Sequence, residues 1–138
     1  MVSVFALRAR AISAVALATT VAAGLAFALV ATAPAVAQDA AKRAADQQFA
    51  AAAALHNLKD YSAAADEWSK FLKAHAGDPR TSDARHYLGV CRLLTEDYPA
   101  AIAAFQELLK TDPKFKDAAN SQLYLGMAQF NAGRRGDA

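Results

Sequence analysis

The side chains able to hold a metal or act as nucleophiles are few and scattered along this chain. Three histidines, His56, His75 and His86, fall in different predicted elements, and their shortest spacing crosses a loop holding Gly77 and Pro79. No HExxH and no Cys/His cluster occurs, so the ligand spacing of a structural zinc site is missing. No metal and no other cofactor is expected. The single cysteine, Cys91, cannot make an intramolecular disulfide. It falls on an apolar helical stripe, where a buried small hydrophobe is the expected role. The G-x-S-x-G, P-loop and GxGxxG patterns are absent, and carboxylates such as Asp66-Glu67 fall on predicted solvated helix faces. No catalytic residues are assigned, and the chain is expected not to be an enzyme.

Charge excludes a further class. Arg8 and Arg10 are two of the 15 basic side chains and precede all 13 acidic ones, so the sequence from Gln38 onward is neutral. With no block of like charge there is no nucleic-acid footprint. The length of 138 residues suits about one domain.

The N-terminus reads as an address. Met1 to Arg10 is basic, Ala11 to Ala33 is uncharged and rich in Ala, Val and Leu, and Ala35-Val36-Ala37 places small residues before Gln38. That order predicts a secretory signal peptide over residues 1–37, cut before Gln38, with Pro34 breaking the helix ahead of the cut. The alternative is an uncleaved anchor through residues 11–33, since about 20 apolar residues span a bilayer. No cysteine follows for lipid attachment and the two arginines are not adjacent, so export by the general route is expected. The product is expected to be periplasmic or secreted, or membrane-anchored if the signal stays.

Beyond residue 38 the chain repeats itself. "DYSAAADEW" at Asp60 recurs as "DYPAAIAAF" at Asp97, an offset of 37 residues that also carries Tyr87-Leu88-Gly89 onto Tyr124-Leu125-Gly126. Units therefore begin near 45, 82 and 119, the last one incomplete. Each unit reads as two antiparallel helices. In the second, Ala84, Tyr87, Leu88, Cys91 and Leu94 make one apolar helical stripe, with Thr81 or Ser82 as N-cap and Asp83 in the first turn. The following helix is expected from about Pro99, with Tyr98 in the connection, and to end at Asp112-Pro113. The fold class is all-α: a helix-turn-helix solenoid of about two and a half repeats.

The pattern resembles the tetratricopeptide repeat, W-x2-L-G-x2-Y, then A-x3-F, then P. The second unit matches at Leu88-Gly89, Ala101-x3-Phe105 and Pro113, departing at Arg85 and Arg92. The first keeps Ala64-x3-Trp68 with Ala51-Ala52 in place of Leu-Gly, and the third keeps Leu125-Gly126. Exported bacterial repeat proteins of the Tol-system coordinator and outer-membrane-assembly type look similar through Pro79-Arg80-Thr81-Ser82-Asp83-Ala84. On this reading Gly89 and Gly126 lie at close helix crossings opposite small residues such as Ala101, and Trp68 and Phe105 fill the space between units.

The resemblance implies that the first helix of each unit lines a concave binding face. The residues so placed are Phe49, Ala53 and His56, then His86, Val90 and Leu93, then Leu123, Met127 and Phe130. That surface is mostly apolar, so a protein or peptide partner is expected there, held by a non-catalytic scaffold of the bacterial cell envelope; the other reading packs these side chains against a further helix or the Ala-rich N-terminal segment. "NAGRRGDA" reads as the turn and opening of a further helix, with Arg134-Arg135 at a solvated helix start. The alternative is an N-terminal appendage of a longer exported protein, its effector or enzymatic domain beyond residue 138. Self-association through the incomplete unit is the remaining expectation.

Overall fold

The computed structural model of the chain describes residues 36–136, and every regular element among them is a helix. These are α1 (36–57), α2 (Tyr61–Ala74), α3 (Thr81–Leu94), α4 (Tyr98–Thr111) and α5 (Ala118–Gly136). Residues 1–42 and 43–138 form two compact units. The described part of the first is only the opening of α1, so the 11–33 segment and nearly all of the expected signal lie outside the described residues. Among the described residues no helix is long and apolar enough to cross a membrane. All that follows concerns the second unit.

The sequence repeat is a repeat of backbone hydrogen bonds. Lys59 and Glu96 both hold φ at 63°, the left-handed conformation that stops a helix. At the first stop the amide of Asp60 donates to the Leu55 carbonyl and that of Lys59 to the His56 carbonyl. At the second, Asp97 donates to Arg92 and Glu96 to Leu93 in the same way. Each aspartate then turns its side chain to the next helix: Asp60 Oδ1 accepts from the Ala63 amide at 3.2 Å, and Asp97 Oδ1 from the Ala100 amide at 3.4 Å. One residue thus closes one helix and caps the next, which holds the connection short and forces an antiparallel pair.

Tyr98 is therefore the first residue of α4, not part of the connection, and Asp97 is the cap that makes it so. At the other connection the N-cap of α3 is Arg80, without a side-chain cap bond, and Thr81 and Ser82 lie inside the helix. Ser82 Oγ is drawn instead to Asp112 Oδ2 at 2.8 Å, tying the start of α3 to the end of α4.

Consecutive helices pack on one another, α2 on α3, α3 on α4 and α4 on α5, and α3 also meets α5. This is the arrangement of a helical-repeat solenoid. Trp68 and Phe105, 37 residues apart, are both fully buried and play the same part. Trp68 on α2 meets Phe49 of its own pair edge-on at 4.9 Å and stacks on Tyr87 of the next pair at 5.4 Å. Phe105 on α4 lies beside Gly89 of its own pair and Tyr124 of α5, 6.0 Å between ring centres. Truncating either ring to Ala costs about 3–5 kcal/mol on the usual scale for buried aromatics.

Three further expectations change. A Cβ built on Gly89 would stand 2.6 Å from the Phe105 ring, so that glycine is required by an aromatic side chain rather than by Ala101. At Gly126 nothing lies within 4 Å, so no described helix crosses there. Asn131–Gly136 also continue α5 without a turn, which puts Arg134 and Arg135 in its last turn rather than at a helix start.

Candidate partner-binding grooves

The first helix of each pair, α1, α3 and α5, lies beside the next, and two grooves run between them. The first has a volume of about 170 Å³ and is lined by Phe49, Ala53, His56 and Asn57 of α1, Trp68 of α2 and Tyr87 of α3. The second, about 360 Å³, is lined by Val90, Leu93 and Leu94 of α3, Tyr124, Met127 and Asn131 of α5, and Glu96 and Tyr98. Shifting Ala53, His56, Asn57 and Tyr87 by 37 residues gives Val90, Leu93, Leu94 and Tyr124. Four lining positions of the first groove thus recur in the second, while Phe49 and Trp68 shift onto His86 and Phe105, which do not line it.

Their floors are set by the packing just described. In the first, the stacked Trp68 and Tyr87 rings form an apolar wall, and Trp68 Nε1 is buried without a hydrogen-bond partner. His56 contacts the rings of Tyr61 and Tyr87 edge-on, and its Nδ1 lies 3.3 Å from Cys91 Sγ. Burial lowers the His56 imidazole below its ordinary value and pushes the Cys91 thiol up to about 11. The cysteine is thus a protonated, fully buried thiol, and it presents no thiolate for nucleophilic chemistry. Among the described residues no group of three or more His, Cys, Asp or Glu side chains is arranged to hold a metal ion.

A second set of contacts fixes the entrance to α3. Arg80 donates to both carboxylate oxygens of Asp78 at 2.7 and 2.8 Å and reaches Asp46 of α1 at 2.9 Å. Its guanidinium lies over the Phe49 ring, 4.7 Å from the centroid. The Arg80 hydrogen bonds hold the Asp78 carboxyl down at about 2. By clamping α1 to the α2–α3 connection, Arg80 sets the position of Phe49, a groove residue. Nothing in the sequence pattern singles it out, because Asp46 and Asp78 lie far apart along the chain and meet only at Arg80.

Of the residues expected on the first-helix face, the structure brings Phe49, Ala53 and His56 to one groove and Val90, Leu93 and Met127 to the other. Leu123 and Phe130 are exposed on α5 outside both grooves. His86 is not on the face: it is 9% exposed and turned into the α3–α5 joint, with Nδ1 2.8 Å from Ser121 Oγ. On the expected apolar stripe of α3, Tyr87 and Leu94 are exposed, and each lines a groove instead. Among residues of α1, α3 and α5, Tyr87, Tyr124, Leu94, Asn57 and Asn131 are groove residues the first-helix pattern left out, and Trp68, Glu96 and Tyr98 join the linings from outside those helices. The signal for the first five was present, because each is related to another by the 37-residue offset.

No protein-family model matches the chain, and no curated protein matches it.

Proposed function

We propose that this protein is a tetratricopeptide-like, non-catalytic scaffold of the bacterial cell envelope that holds a partner peptide or helix along its first-helix face. The observation that supports this reading most is the recurrence of four groove-lining positions at the 37-residue offset. A row of like grooves suits an extended partner, whose successive apolar side chains enter successive grooves while polar groups at the edges meet its backbone. Asn57 and Asn131 stand at the groove margins with amides able both to donate and to accept. The signal-like N-terminus is what supports work outside the cytoplasm.

Val90→Asp and Met127→Asp test the reading, because both side chains face the second groove and neither belongs to the fully buried core. A peptide selected for binding to the protein is expected to lose at least tenfold in affinity to each variant, with the unfolding temperature within a few degrees of the parent. Unchanged affinity in both variants contradicts the proposal.

A further inference from the structure

The outer side of α5 is apolar and belongs to neither groove. Leu123 and Phe130 stand there about two helical turns apart, 61% and 66% exposed. Ser121 and Ala128, on the opposite side of the same helix, are fully buried against α3 and α4. Shifted back by 37 residues, Leu123 and Phe130 become His86 and Leu93. With those residues α3 receives α5: His86 meets Ser121, and Leu93 packs in one cluster with Tyr124 and Leu125. The outer side of α5 thus holds the position of a helix-docking face, with apolar side chains at both places.

Charge indicates which helix fits it. Ala118 to Gly133 carries no Asp, Glu, Lys or Arg, whereas α2, α3 and α4 each carry both signs. Beside the apolar stripe stand Gln122 and Gln129, both exposed, whose amides donate and accept alike. In a two-fold contact each residue near the axis lies close to its own copy, so a charge there repels itself while an amide can bond its mate. A helix that receives a different chain has no such need to be neutral.

We propose that α5 is a self-association surface, on which a second copy of this chain docks its own α5 antiparallel. With the two-fold axis between Gly126 and Met127, Leu123 faces the partner subunit's Phe130, and Phe130 faces the partner subunit's Leu123. Antiparallel seating also opposes the two helix dipoles. Met127 lies at the edge of the stripe, on the side of the second groove. One helix face per protomer is small beside the roughly 800 Å² per partner of a standard interface, so the dimer is reversible and forms as concentration rises. None of this depends on what the grooves bind.

Analytical ultracentrifugation of the full chain tests it, with the variants Leu123→Glu and Phe130→Lys. The parent is expected to pass from monomer to dimer through the micromolar range. Each variant alone is expected to associate at least tenfold more weakly, because a charge enters an apolar contact. An equimolar mixture of the two is expected to regain at least tenfold. The antiparallel register sets the new carboxylate of one chain against the new ammonium of the other and keeps a Leu–Phe pair at the second contact. Both positions are exposed, so each variant in dilute solution should unfold at the parent's temperature. A parent that stays monomeric to several hundred micromolar, association undiminished in either variant, or a mixture that associates no better than its components overturns the proposal. If one variant does not fold, the parent and the other variant decide.

Discussion

Gly89 and Gly126 hold the same place in two copies of Tyr-Leu-Gly, yet the structure asks different things of them. The Phe105 ring presses on Gly89, while Gly126 faces open space on α5. Gly89→Ala should lower stability by about 1–2 kcal/mol, because displacing a fully buried ring outweighs the gain in helix propensity. Gly126→Ala should raise it by up to about 1 kcal/mol, since only the propensity gain remains. Chemical denaturation of the two single variants checks the opposite signs; destabilisation by both, to the same degree, contradicts the packing described. A sequence pattern shows that a small residue recurs but not which neighbour requires it, and so both glycines read alike until the helices are placed. His86 makes the same point. Its spacing along α3 is that of a face residue, and only Ser121, 35 residues away, shows that the ring is committed inward.

At the scale of the helix, the recurring Asp-Tyr word is a joint. Asp60 and Asp97 each receive the stop of one helix and cap the next. Asp60→Ala and Asp97→Ala should each cost about 1 kcal/mol, the typical worth of an N-cap. The two costs should add in the double variant, since the caps share no partner. A double variant no less stable than either single one, in urea unfolding, would show that the caps do not hold the pairs. The helices themselves were largely legible in the sequence, through 3-4 apolar spacing, the stop at Asp112-Pro113 and the 37-residue offset. Their edges were less so. Pro99 carries the first-turn signal in the sequence, but the cap is Asp97, which closes α3 and starts α4 at once. Thr81 and Ser82 look like caps by type, but Ser82 finds a partner in Asp112, far along the chain, which spacing alone does not reveal.

At the scale of the molecule, the helix-pair stack follows from repetition, and the grooves follow from the stack. Alignment of Phe49, Val90 and Met127 on one face was visible in the sequence; the groove walls were not, because Trp68 and Tyr87 meet only when one pair packs on the next. The central functional claim is that a partner lies along the first-helix face rather than over the second helices. Site-specific photocrosslinking tests it most directly, with the photoreactive residue placed at Met127 in the second groove or at Glu107 on the exposed side of α4. In cells that make the protein, a discrete crosslinked species should form from position 127 and not from 107. Crosslinking from 107 with none from 127 would contradict the claim.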